Sequence, residues 1–228
     1  MRSKEYLGSI LVLFLCIFVQ YEFRTLISLW LKLDETKGGM GWNDSEKPGM
    51  MNMTSGFISM LLPLLFTNTL KQKMGIRMAC LFLSVLIMIP NTFAPFTVHL
   101  PEEVLWASLV ICNGLFIALC TIFLSIISIA LSNAVNSDMA GIAIGMSQSV
   151  VSGSRALSTS GTALLFGYMQ EFTFPFPFDS HFLFLLNNVF CSFTILSILY
   201  LLNPRVERRR LSTNEEPLLK EIDRDSNL

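Results

Sequence analysis

Long apolar runs alternate with short polar breaks along this chain. A helix needs about 20 apolar residues to cross a bilayer. Six runs reach that length: residues 6–31, 50–70, 76–96, 104–131, 139–169 and 182–202. The breaks between them carry turn chemistry. "KLDETKGGMGWNDSEKPG" is polar and glycine-rich, and "KQKMG" predicts a tight basic turn. "PNTFAPFTVHLPEE" holds three prolines, and "SNAVNSD" is rich in turn formers and helix caps. "EFTFPFPFDSH" sets prolines among aromatics, as suits a membrane interface. Pro204 ends the last run. The pattern predicts an all-α membrane protein: a short cytosolic N-terminus (1–5), a six-helix transmembrane domain (6–202) and a charged tail (203–228). The tail lacks aromatics and is expected to be disordered.

Composition strengthens this picture. Of the 228 residues, 52% are hydrophobic and only 14% are charged, against about 25% charged in a soluble domain. The charges bunch in the breaks, which is the habit of a multi-pass membrane protein with the lipid bilayer as its main partner. The net charge of −1 gives no reason to expect nucleic acid. Cys16, Cys80, Cys112, Cys120 and Cys191 all lie in apolar runs without a CxxC pair, so they read as small core hydrophobes. The first run is too long for a signal peptide, and no small-residue cleavage site follows it.

Lys and Arg set the expected orientation. Arg2, Lys4, Lys71, Lys73, Arg77, Arg205, Arg208, Arg209 and Arg210 fall at one set of helix ends. Lys32, Lys37 and Lys47 fall at the other, diluted by Asp34, Glu35, Asp44 and Glu46. The positive-inside rule then puts both termini in the cytosol, in a plasma membrane or a vacuolar or lysosomal membrane. Asn43-Asp44-Ser45 is a glycosylation sequon in the first non-cytosolic loop. A second, Asn52-Met53-Thr54, lies close to the membrane.

Charge inside the runs is where function is sought. Arg155 stands near the middle of the fifth run, and Gln20, Glu22 and Arg24 stand in the first. An arginine at the bilayer centre costs about 2.5–3.5 kcal/mol on insertion scales, so it usually faces a bundle interior or a wet cavity and has a partner. Glu22 is the expected partner of Arg155, with Arg24 reaching toward the outer end. Glu22 and Arg24 are two residues apart and point to nearly opposite sides of a helix. These groups are expected to form a substrate or proton pathway, or else to lock helices together without touching any ligand. Gly141, Gly145, Ser149 and Gly153 recur every four residues, a spacing that lets helix backbones approach closely. They read as a helix-packing face.

Other chemistry is poorly supported. His99 and His181 are isolated in expected loops, which argues against a metal site. No HExxH, GxSxG or phosphate-binding loop is present, so neither enzyme activity nor a cofactor is expected. In the tail, "RRLS" (209–212) has the form of a basic-directed kinase site and "EEPLL" (215–219) that of a dileucine sorting signal.

The stretch "TIFLSIISIALSNAVNSDMAGIAIGMSQSVVSGSRALSTSGTALLFGYM" resembles helices ten and eleven of the major facilitator superfamily. It is most similar to the drug-antiporter-like branch that includes zinc-induced facilitators and tetracycline-type exporters. Asn133, Gly141, Gly145, Arg155 and Ala156 carry that match. Leu29, Trp30, Lys37, Gly38, Gly39 and Gly41 resemble the seventh helix and its loop. Ala140 stands where the branch has arginine, and Ser158-Thr159 replace its Gly-Pro.

The resemblance implies the C-terminal half of such a carrier: six transmembrane helices in two inverted repeats of three, with the substrate held between two halves. It implies a secondary active transporter of a small molecule, an antiporter working by alternating access and coupled to protons, with Glu22 the best proton-carrying candidate. It implies Gln20, Glu22 and Arg155 on the inner side, with Arg155 an anion anchor, a partner for Glu22 or part of proton coupling. A half-length chain would need a second six-helix half or a homodimer. The alternative is a non-transporting six-helix membrane protein: a pseudo-transporter subunit, a scaffold or a truncated fragment.

Overall fold

A computed structural model describes residues 3–42, 44, 46–135, 139–171 and 180–202. Among these the chain is helical throughout, with no strand. The five α-helices are α1 (Ser3–Lys32), α2 (Glu46–Phe93), α3 (Glu102–Asn133), α4 (Ala140–Glu171) and α5 (Ser180–Leu201). Short 3-10 turns follow α1 at Glu35–Lys37 and α2 at Ala94–His99.

The polar break after α1 folds into a compact cap. Trp30 Nε1 donates to the Gly38 carbonyl at 2.9 Å, and the Trp42 amide donates to the Leu31 carbonyl at 2.9 Å. The fold-back depends on glycine. Gly38 and Gly41 have φ of 78° and 64°, a region in which side chains are strained.

The basic break "KQKMG" predicts a turn outside the helices. The chain does turn there, at Gly75 (φ 72°, ψ 172°), with helix running up to that residue on both sides. That conformation is open essentially to glycine alone. A straight helix of 48 residues would be about 72 Å long. Here α2 doubles back: Lys47 and Met50 near its start, and Val98 and Leu100 just past its end, line one cleft. The second and third expected runs are therefore the two arms of one element, 46–74 and 76–93.

Among the described residues, four elements are long and apolar enough to cross a membrane: Tyr6–Lys32, Glu46–His99, Val104–Asn133 and His181–Leu201. The fifth expected run does form a helix, α4, but its serines, threonines, glycines and Arg155 make it too polar to join them. The sequence pattern puts His181 in a loop. It lies instead in the first turn of α5, is 7% exposed and packs its ring against Phe96 at 5.7 Å.

The packing is pairwise. α4 lies along α1, α3 along α2, and α5 against both α1 and α2. Ser55 of the first α2 arm donates to the Val110 carbonyl of α3 at 3.3 Å, and a Cβ on Gly114 would come within 2.9 Å of Ile58. On the second arm, Arg77 Nη2 donates to the Leu199 carbonyl at 2.7 Å. Asn91 Nδ2 donates to Asn188 Oδ1 at 2.7 Å and to the Phe184 carbonyl at 3.1 Å. The core closes where α1, α3 and α5 meet. Phe23 stacks on Phe116 at 3.8 Å, and both Phe23 and Trp30 meet Phe184 edge-on, at 6.1 and 5.9 Å. Cys16, Cys80, Cys120 and Cys191 are buried free thiols.

The outside is apolar. Met53, Phe57, Leu64, Leu164 and Tyr200 are each at least 60% exposed. A soluble chain rarely exposes so wide an apolar surface, whereas lipid accepts it. The expected sequon at Asn43, residues 1 and 2 of the expected cytosolic N-terminus, and the tail 203–228 lie outside the described residues.

Candidate functional site

The site is built on α1 and α4, which run parallel and touch along a polar seam. Tyr6 donates its hydroxyl to the Ala143 carbonyl at 3.1 Å. Ser154 donates to the Phe14 carbonyl and Ser158 to the Phe18 carbonyl, each at 2.8 Å. The buried stripe of α4 is Ala143, Ser147, Val151, Ser154, Ser158, Thr162 and Phe166, which recurs every three or four residues as one helix face requires. Small hydroxyl residues let the backbones approach and bond across the seam.

The predicted glycine stripe is not this seam. Gly141, Gly145, Ser149 and Gly153 are exposed, and a Cβ on any of the three glycines would meet nothing within 4 Å. Their spacing does define one face, but among the described residues that face packs against nothing. Serines one step around the helix do the packing.

Between the seam and the glycines runs a polar flank. Gln148, Ser152, Arg155 and Thr159 are all exposed and follow a 4-3-4 spacing, so they form one line along the helix. The opposite flank is apolar: Ile142, Met146, Leu157 and Leu164 are 51–75% exposed. Arg155 therefore belongs to a polar stripe that runs between the seam and the glycine face of α4.

The expected ion pair between Glu22 and Arg155 is not formed. Glu22 is 3% exposed, and its Oε2 is buried with no hydrogen-bond partner among the described residues. The Arg155 guanidinium instead lies over the Tyr21 ring, 4.8 Å from its centroid. Arg24 lies 5.6 Å from the same ring. Helical geometry separates Glu22 and Arg24 by about 200° around α1, so the carboxylate turns inward while Arg24 turns outward. Gln20 is also buried, at 5% exposed. Of the four expected pathway residues, the structure brings together Arg24 and Arg155 through Tyr21. It leaves Gln20 and Glu22 in the interior.

Beside Arg24 a cleft of about 300 Å³ opens between α1, the first α2 arm and α3. It is lined by Arg24, Ile27, Ser28, Asn52, Gly56, Ser59, Asn113 and Ile117. Asn113 is 1% exposed; its Nδ2 donates to Ser55 Oγ at 3.1 Å and Asn52 Oδ1 at 3.4 Å. Its Oδ1 is buried without a partner among the described residues. Asn52 enters the sequence reading only as a sequon residue, and Asn113, Tyr21, Gln148 and Ser152 are not singled out there as site residues. The signal for the last two is the 4-3-4 polar spacing around Arg155. The asparagines are far apart in sequence, and no local pattern joins them. No cluster of three or more His, Cys, Asp or Glu able to hold a metal ion occurs among the described residues.

The fold and the site thus describe a helical bundle of membrane-spanning type with a polar face at mid-helix. No family model, curated protein or solved structure matches this chain.

Proposed function

We propose that this chain is one half of a secondary active membrane carrier, with the polar face of α1, α4 and the first α2 arm as one wall of the solute cavity. The observation that carries the reading is Arg155, exposed halfway along a 32-residue helix with Gln148, Ser152 and Thr159 in line with it. An arginine facing lipid at that depth is costly, whereas one facing a watery cavity is not.

The helix pairing supports the major-facilitator-type reading of two inverted repeats of three. With the arms of α2 taken separately, the six rods pair first with fifth, second with fourth and third with sixth. Exchanging the two triplets turns the first–fifth pair into the second–fourth pair and leaves the third–sixth pair unchanged. An axis in the membrane plane demands such a pattern. The exposed glycine stripe of α4 is a surface on which a second six-helix unit could seat.

In this mechanism Glu22, the sole acidic residue in the six apolar runs, carries the coupling proton, and its loading shifts the inward and outward populations. Antiport and a plasma-membrane or vacuolar location with cytosolic termini belong to the same proposal. The test uses the full chain in liposomes containing a pH-sensitive dye. A panel of organic anions, organic cations and sugars is added outside. Solute-dependent proton flux that disappears in Glu22→Gln is expected. Correctly inserted protein that moves no protons with any solute would end the carrier reading.

A further inference from the structure

The chemistry of the polar face points to the charge of its ligand. Arg24 and Arg155 share the Tyr21 ring, and both are exposed. The one carboxylate at that depth, Glu22, is turned into the interior on the far side of α1. Among the described residues, the open face therefore carries two positive charges at mid-helix with no acidic side chain to balance them. Cations at that depth are normally matched by an anion.

The cleft adds a second, independent observation. Asn113 lines it, and the Oδ1 of that side chain is buried without a partner. An unmatched buried acceptor calls for a donor. A cleft of about 300 Å³ is at the small end of the range for small-molecule pockets. Ser28, Ser59 and Asn52 supply further polar wall, and Ile27 and Ile117 supply apolar wall.

We infer that this face binds a small organic carboxylate bearing a hydroxyl group, its carboxylate held by Arg24 and Arg155 and its hydroxyl directed at Asn113. The carboxylate accepts from guanidinium N–H groups, in the charge-assisted geometry for which arginine is suited. The Tyr21 ring keeps the two guanidiniums in place by cation–π contact. This deepens the carrier reading by naming a substrate class. It rests on that reading only in taking the face as open to water.

The test is equilibrium binding of radiolabelled 4-hydroxybenzoate to the full chain in phosphatidylcholine nanodiscs. Saturable binding is expected. Tyramine, which keeps the phenol and reverses the charge, should not compete. Benzoate, which lacks the hydroxyl, should compete at least threefold more weakly. Arg155→Gln and Arg24→Gln should each weaken binding at least tenfold, with Arg155→Lys recovering part of it. Lys32→Gln, at the end of α1 and away from the cleft, should bind as the parent does. Each variant is first required to elute as a monodisperse species. Nanodiscs containing phosphatidylglycerol separate a soluble anion from a lipid headgroup: unchanged binding supports a soluble ligand, and loss of binding overturns it in favour of the headgroup. Equal competition by tyramine, or full binding in both folded arginine-to-glutamine variants, also overturns the proposal. Binding without proton flux would sink the carrier reading alone, and flux driven by cations or sugars without binding would sink this inference alone.

Discussion

Ser158 of α4 donates its hydroxyl to the backbone carbonyl of Phe18 in α1 at 2.8 Å, one turn along from the same bond between Ser154 and Phe14. Both serines are fully buried. They hold α4, which has few contacts with α3 or α5, to the rest of the bundle. In membranes such bonds contribute about 0.6 kcal/mol on average and at most about 1.7. Ser158→Ala should therefore lower stability by about that amount in SDS titration of the purified chain. Ser158→Leu should cost several-fold more, because it fills the space that lets the helices meet. Equal, small effects of both substitutions would show that the seam is loose.

Gly75 governs the reversal of α2. At φ 72° and ψ 172°, any side chain is strained by about 1–3 kcal/mol. Gly75→Ala should destabilise the chain by that amount in the same titration. Gly49→Ala, where an added Cβ meets nothing within 4 Å, should be close to neutral. A neutral Gly75→Ala would mean that the two arms do not turn there.

How much of this is legible beforehand depends on which interactions decide each feature. Helix positions follow from the apolar runs, because burial in lipid or core acts on every residue of a run. The polar break correctly marks the reversal at Gly75, where a single glycine with non-helical backbone angles joins two helical arms. The partner of Arg155 is not legible. Charge complementarity suggests Glu22, yet rotation around α1 puts Tyr21 and Arg24 on Arg155's side and takes Glu22 to the interior. The glycine stripe misleads for a related reason. Four-residue spacing identifies a face but not what lies opposite it, and Ser154 and Ser158 on the neighbouring face are those opposite α1. Asn113 joins Asn52 only through the pairing of α3 with α2, which no local pattern encodes.

The glycine face gives a prediction that separates folding from assembly. Gly145 and Gly153 have open space around them. Gly145→Leu and Gly153→Leu should leave the SDS titration midpoint unchanged, while reducing any association of copies seen by cross-linking in liposomes. The same bulk placed at Ser154 should do the reverse, loosening the fold first. If both classes of substitution destabilised the isolated chain equally, α4 would be packed on more sides than α1 alone.

The polar and apolar flanks of α4 must meet different solvents if the cavity reading holds. Ser152 and Thr159 share the line of Arg155, whereas Met146, Leu157 and Leu164 lie on the other side of the helix. A thiolate reacts with maleimide only where water reaches it. Single cysteines at Ser152 and Thr159, in a chain whose own cysteines are replaced by serine or alanine, should be labelled by a charged maleimide in intact liposomes. Cysteines at Leu157 and Leu164 should react at least tenfold more slowly, because lipid tails exclude both water and the charged reagent. Adding 4-hydroxybenzoate should slow labelling at Ser152 and Thr159 if the anion occupies the face beside Arg155, and should leave the lipid-side positions unchanged. Uniform labelling of the two flanks would place the whole exposed surface of α4 in one environment. Arg155 would then lie against lipid or protein like its neighbours, and α4 would not form the wall of a wet cavity.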